Sequence, residues 1–407
     1  MSILKPFKAV RPTPDKVALV SCRNYEDYSA AELASWLNFN PYSFLHILNP
    51  AYINTQRISV DKRFKGVSNK YLDFKREGVF IKEEQEVYFI YQIDTKRNSY
   101  TGIVAATSLD DYKNNNIKKH EDTLQYRVEM FTDYLKQTQF NTEPVLITYP
   151  DKTSIKSFIS DVKSQTPLYC FSTTSLEKHT LWKVDDNEQV EWLKKEFETV
   201  NELYIADGHH RCESALLLQE QQGVKTELNN YFMSFLIAES DLKIFEFNRL
   251  VNDLNGYTPE SFLLKLNENF EVESKNQELW KPKSKFEFGM YLDGSFYALK
   301  YKKDKQNFDG FLDQLDAQIL YNTILNPLLN LGDLRNDERI DYLPGNQSIT
   351  AIKELVDNGK FAVGFILYPS DVSEIKTLAD NGLIMPPKST YIEPKFRSGL
   401  VIYELSE

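Results

Sequence analysis

The chain has 407 residues, 42% of them apolar, enough for a substantial core spread over roughly two or three structural units. Its net charge of -11 argues against extended binding along nucleic-acid phosphates, which needs clustered Lys and Arg, but not against a local cationic pocket for a small anion. No run of about 18 apolar residues marks a membrane span and no apolar leader opens the chain, so a cytoplasmic protein without a membrane partner is expected.

Pro6, Pro12 and Pro14 punctuate an extended N-terminal segment. "SAAELASWLNF" predicts a helix, with Ser29 and Glu32 in capping-box spacing. "NPYSFLHILNP" follows, bounded by Pro41 and Pro50, and a further helix is expected around 68–77, stopped by Gly78. "EVYFIYQI" and "YTGIVAAT" are strand-like, rich in β-branched and aromatic residues. "DTLQYRVEMFTDYLKQT" places Leu124, Val128, Phe131 and Leu135 on one helical face. "PVLITY" and "LYCF" are short strands flanking a helix near 152–163, and "EQVEWLKKEFETV" is another helix. Strands alternating with helices over 85–240 indicate a mixed α/β or α+β unit. Beyond about residue 250 the pattern changes. "YTPESFLLKLNENF" reads as a helix, "FEFGMYLDGSFYALKYK" as a hairpin turning at Asp293-Gly294, "FLDQLDAQILYNTIL" as a helix and "FAVGFILY" as a buried strand. Two regions are therefore expected, 1–250 and 251–407, with the last segment of the second returning to the active site.

Cys22, Cys170 and Cys212 lie far apart and form no CxxC pair, so they read as reduced, mostly buried thiols rather than a zinc site. More informative is "LYIADGHHRCESALLL", residues 203–218. "LYIA" suits a buried strand, while Cys212, Ala215, Leu216 and Leu218 give an apolar helical face that Gly223 stops. Asp207, Gly208, His209, His210 and Arg211 thus fall on a strand-to-helix turn. There, unpaired N–H groups and the positive end of the helix dipole favour an anion. Gly208 permits close backbone approach, and Arg211 can grip two phosphate oxygens. Asp207 could bind a metal such as Mg²⁺, orient a histidine or cap the helix. The bland alternative is a capped helix with solvated histidines.

"KKHEDTLQYR" places His120 and Glu121 at or just before a helix start, with Asp122 and Thr123 as candidate caps and Glu121 as a candidate general base. In "MPPKSTYIEPKFRSG", Lys388, Ser389 and Thr390 resemble the end of a phosphate loop. The preceding residues 383–387 are Leu-Ile-Met-Pro-Pro, so a Walker-type loop is rejected. Lys388 and Lys395 are sources of positive charge, or parts of a solvated turn. "FEFNRLV" contributes Asn248 and Arg249 after a strand as a polar rim. His46 and His179 are isolated and read as structural.

Taken in order, "PFKAVRP", "NPYSFLHI", "KHEDT", "YIADGHHR", "FNRLV" and "MPPKSTYIEPKFRSGL" resemble the bacterial and archaeal domain of unknown function family 1015 nearly end to end. "SCRNYEDYS" stands where that family usually has Pro-Tyr-Asp-Val. The DGHHR turn also resembles the phosphate-binding turn of the ParB/sulfiredoxin-like fold, whose members include free L-serine kinases. The resemblance implies an α+β fold with a ParB/sulfiredoxin-like core and additional N- and C-terminal α/β elements. It further implies a nucleotide-dependent small-molecule kinase that uses ATP or ADP with Mg²⁺ and phosphorylates an amino acid, free L-serine first. Carried over by motif, Asp207 assists substrate or Mg²⁺ binding, and Gly208, His210 and Arg211 contact phosphates. The residues' own chemistry adds His209, Lys388, Ser389 and Thr390 to the phosphate-binding candidates and sets the remaining roles. Glu121 accepts the hydroxyl proton beside His120, and Asn248 and Arg249 hold the substrate. Sulfiredoxins keep a reactive cysteine where this chain has His209, which disfavours their chemistry. Two rivals remain open: a metal-dependent phosphatase or nuclease built on Asp207, His209, His210, His120 and Glu121, and a non-catalytic nucleotide-binding switch of the ParB-like type.

Overall fold

A computed structural model describes residues 3–223 and 226–406. The chain is mixed α/β and divides into two compact units, Met1–Leu242 with Pro394–Glu407, and Lys243–Glu393.

The first unit is built on a sheet with nine strands among the described residues. Its order is Ile117–Lys118, Leu203–Asp207, Val145–Tyr149, Tyr231–Ala238, Ser99–Ser108, Tyr88–Asp94, Lys178–Val184 and Tyr169–Ser172, with Leu4–Lys5 also paired to Ser99–Ser108. Every residue of the central Tyr231–Ala238 strand is buried, the pattern of a strand covered on both faces. Two helices, Gln125–Thr138 and His209–Gln222, pack together, and Val128 and Leu135 of the first and Ala215 and Leu218 of the second are buried. Ser214 Oγ donates to the Val128 carbonyl at 3.1 Å across this pair. A second core gathers the N-terminal segment around Phe44, Val67, Tyr71, Phe80 and Phe140 and includes Ile402 from the end of the chain.

The second unit is a sheet ordered Phe270–Asn276, Ser295–Tyr301, Glu287–Leu292, Val363–Ile366, Lys243–Val251 and Ile340–Pro344. Thr390–Glu393 pairs with the first half of Lys243–Val251. Period-two alternation divides its apolar residues between two cores: Phe288, Met290 and Leu292 face one, and Tyr291 with Leu250 and Phe296 the other.

Several sequence expectations match the elements. Ser29 and Glu32 form the capping box of Ala30–Phe39, and Asp293-Gly294 turns the hairpin with both residues at positive φ. Others need correction. The helix ending before Gly78 begins at Val60, well before residue 68. Pro50 does not bound its helix but lies inside Leu45–Tyr52, in its last turn, where it withholds one N–H from the helical ladder. Asp122 and Thr123 do not cap Gln125–Thr138, whose N-cap is Leu124. Cys170 is exposed, unlike Cys22 and Cys212. Asn248 and Arg249 stand within the strand Lys243–Val251 rather than after it. "FLDQLDAQILYNTIL" is not one helix: Asp316–Leu320 is α-helical, and Tyr321–Leu325 widens into a π turn in which Asn326 N–H reaches back to the Tyr321 carbonyl. Pro327 follows directly and has no N–H to continue the α-helical ladder. Among the described residues, no helix is long and apolar enough to cross a membrane.

Candidate functional site

The strand Leu203–Asp207 lies between a parallel neighbour, Ile117–Lys118, and an antiparallel one, Val145–Tyr149. The parallel pairing delivers two chain segments at the same end of the sheet. One is the turn at Gly208; the other is the loop 119–124, which leads into Gln125–Thr138. DGHHR and KHEDT are therefore neighbours in space, though about 85 residues apart in sequence.

Gly208 turns the chain at φ +100°, a conformation side chains disfavour, and a Cβ there would stand 3.3 Å from Val145 Cα and Arg211 Cζ. The helix His209–Gln222 starts at once, with Cys212 N–H donating to the Gly208 carbonyl at 3.1 Å. Helix geometry gives the N–H groups of His209, His210 and Arg211 no intrahelical acceptor, and the dipole makes that end positive.

The two histidines have separate tasks. His210 is half-buried, and its Nε2 accepts the Leu124 N–H at 3.0 Å. That bond fixes an unprotonated Nε2 and ties the KHEDT loop to the helix; burial lowers the His210 pKa accordingly. His209 is buried with neither ring nitrogen hydrogen-bonded, and its Nδ1 stands 3.4 Å from Glu121 Oε2, in ion-pair rather than hydrogen-bond geometry. His120 is likewise buried, its ring perpendicular to that of His209 at 4.7 Å, with Nδ1 unpartnered. Burial, reinforced by His209, pushes His120 down to about 3, so it is neutral at physiological pH.

The carboxylates are held anionic. Burial acts to raise Glu121, but the contact with His209 and the nearby His120 outweigh it and leave the group below its usual range. Burial acts on Asp207 in the same direction, and Lys395 and Arg211 overcome it more strongly, holding that carboxyl well below the usual range. Lys395 Nζ is 3.0 Å from Asp207 Oδ2, and Arg211 Nη2 is 3.8 Å from the same oxygen. Arg211 is steadied from behind by the Pro144 carbonyl.

Lys395 is a residue that local reading underweighted. It reaches Asp207 because the C-terminal segment is fastened to the first unit. Cys22 and Ser398 exchange backbone hydrogen bonds, Arg397 donates to the Ser21 carbonyl at 2.7 Å, and Ser398 Oγ donates to Glu143 at 2.8 Å. The cation-rich "EPKFRSG" was the available signal. The remaining candidates belong to the second unit. Lys388 has a positive φ, with its Nζ 5.3 Å from the centre of the Phe247 ring. Ser389 Oγ donates to the Pro386 carbonyl at 2.7 Å, and Thr390 opens the last strand of that sheet. Asn248 Oδ1 accepts the Leu367 N–H at 3.3 Å, and Arg249 donates to the Phe247 carbonyl. Among the described residues, no group of three or more His, Cys, Asp or Glu side chains is placed to hold a metal ion.

Among solved structures the chain is similar to a free serine kinase mutant in complex with AMP, at 13% identity and a TM-score of 0.37, over 77% of this chain and 95% of that one. It is similar also to a conserved hypothetical protein from Pyrococcus furiosus, at 15% identity and a TM-score of 0.37, over 75% of this chain and 95% of that one. A third likeness is to SbnI with C-terminal truncation from Staphylococcus aureus, at 11% identity and a TM-score of 0.38, over 73% and 85% of the respective chains. No curated protein matches the chain. Residues 4–318, a span that holds both the KHEDT loop and the DGHHR turn, match the family described as Protein of unknown function (DUF1015), and the chain belongs to that family.

Proposed function

We propose that the turn at 207–211 is the nucleotide-phosphate site of a phosphotransferase whose acceptor is the hydroxyl of a small molecule, with free L-serine as the acceptor implied by the resemblance of the DGHHR turn. In this reading the ParB/sulfiredoxin-like core is the part of the first unit around Leu203–Asp207. The observation that carries it is the meeting, at one helix N-terminus, of two cations, Arg211 and Lys395, with two anionic carboxylates, Asp207 and Glu121. Phosphoryl transfer needs charge neutralisation and alignment more than covalent help, and this set supplies both.

The first-turn N–H groups and Arg211 bind phosphate oxygens of ATP or ADP. Glu121, on the neighbouring loop, takes the proton of the acceptor hydroxyl. His209 positions the Glu121 carboxylate, and neutral His120 packs behind His209 without adding charge. Mg²⁺ takes one or two carboxylates together with substrate phosphates, and Asp207, held anionic, meets that demand. When bound there it would neutralise phosphate charge.

Incubating the protein with ATP or ADP, Mg²⁺ and L-serine is expected to yield O-phosphoserine, read by mass spectrometry. No product with either nucleotide overturns serine as acceptor. Glu121→Gln is expected to lower turnover at least about 100-fold while leaving nucleotide affinity within about threefold, as for a lost general base. Equal loss of binding would make Glu121 a ligand-binding group instead.

A further inference from the structure

Arg249 heads the largest side chains with no exposed surface among the described residues. It stands in the strand Lys243–Val251, opposite Tyr342 on one side and Phe365 on the other. Past Phe365 the ladder stops, because the Leu367 N–H turns to the Asn248 side chain. The Phe247 carbonyl takes one guanidinium nitrogen, Nη1. The other two, Nε and Nη2, have no hydrogen-bond partner.

Those two nitrogens form one edge of the guanidinium, with parallel N–H groups spaced to grip both oxygens of a carboxylate. Among the described residues no carboxylate forms an ion pair with Arg249; the group that favours its charge is the Tyr342 side chain, itself neutral. Burial pushes Arg249 down to about 10, so the group is still protonated at neutral pH. A buried charge without a counter-ion is among the costliest features a fold can keep. Water could occupy the two N–H groups, but it would leave the charge uncompensated.

The surroundings suit an amphipathic anion. The guanidinium carbon lies 5.6 Å from the centre of the Tyr342 ring, and Phe247, two residues away on the same strand face, carries Lys388 over its ring. Asn248 Nδ2 is also unpartnered, but it projects from the opposite face of the strand and does not belong to this edge. One buried guanidinium balances one negative charge, which favours a carboxylate over doubly charged phosphate.

We propose that Arg249 anchors a second ligand site, within the second unit, that takes the carboxylate of a small organic acid between Nε and Nη2. This site does not rest on the phosphotransfer reading, and its test needs neither nucleotide nor turnover. Calorimetric melting of the full chain compares sodium acetate with sodium chloride and sodium phosphate at equal ionic strength. Acetate is expected to raise the wild-type Tm above its value in chloride. Arg249→Met, similar in length and uncharged, is expected to melt higher than wild type in chloride and to show no acetate shift. Arg249→Lys keeps the charge but loses the fork, so it too is expected to lose the acetate shift. A lower Tm of Arg249→Met in chloride would make the guanidinium a structural element and overturn the site. So would an undiminished acetate shift in either variant, or a rise with phosphate and none with acetate. Should Arg249→Met fail to fold, Arg249→Lys decides alone.

Discussion

At the scale of single residues, Gly208 joins fold to chemistry. Its φ of +100° and the 3.3 Å approach to Val145 let the strand turn into the helix without a loop, which leaves the first-turn N–H groups unobstructed by a side chain. Gly208→Ala must either strain the backbone or displace the Val145 strand. We expect a stability loss on the order of 1–3 kcal/mol in urea denaturation, with nucleotide binding impaired. Gly78→Ala is the control: its φ is +68° but no atom lies within 4 Å of a Cβ, so only the smaller conformational cost applies. Equal losses at the two positions would show that the close approach to Val145 contributes nothing. The special place of Gly208 was legible, because an apolar strand, a glycine and an amphipathic helix follow one another in sequence. The division of labour between the histidines was not. Which ring faces Glu121 and which meets Leu124 depends on the KHEDT loop, brought there by a parallel strand pairing that no local pattern encodes.

At the scale of elements, the broken helix around Asp316 shows where periodicity misleads. "FLDQLDAQILYNTIL" keeps a helical apolar face, yet backbone donors rather than side chains decide its course, and Pro327 contributes none to the ladder. Asp316 begins the α-helical part and its Oδ1 accepts the Phe286 N–H at 2.9 Å, while Oδ2 is buried without a partner. Burial raises its pKa from 3.8 to about 7, with Glu374 adding to the rise and Lys285 opposing it. The folded form therefore binds the proton more tightly than the unfolded chain. Between pH 3.8 and about 7 it holds more protons, so its contribution to stability falls as pH rises through that window. Asp316→Asn keeps the acceptor for Phe286 and removes the ionisation. The variant is expected to gain on wild type as pH rises from 4 to 8, by roughly 2 kcal/mol after allowance for solvent screening. Parallel stability–pH curves for the two proteins would refute the shift.

At the scale of the whole molecule, a change of pattern near residue 250 is visible in the sequence and a return of the last segment is expected from it, whereas the point of re-entry into the first unit, Pro394, is a matter of long-range contacts. Ser398 with Cys22, and Lys395 with Asp207, join residues far apart in the chain; the sequence marks Lys395 and Asp207 as charged candidates, but nothing local in it pairs them. The second unit has the form of an inserted domain. Lys243 lies opposite Glu393 in an antiparallel ladder, so the insertion begins and ends at one place. Both of its apolar cores are made only from residues between Lys243 and Glu393. A unit whose ends meet and whose cores are its own meets the conditions for folding alone. The fragment 243–393 is therefore expected to be monomeric, to show a near-ultraviolet circular dichroism signal from its packed aromatic residues, and to melt in one cooperative transition. It should also keep the pH dependence set by Asp316, since Phe286, Lys285 and Glu374 all travel with it. A fragment with secondary structure but no cooperative melt would mean that the second unit depends on the rest of the chain for its packing, and the inserted-domain description would fail.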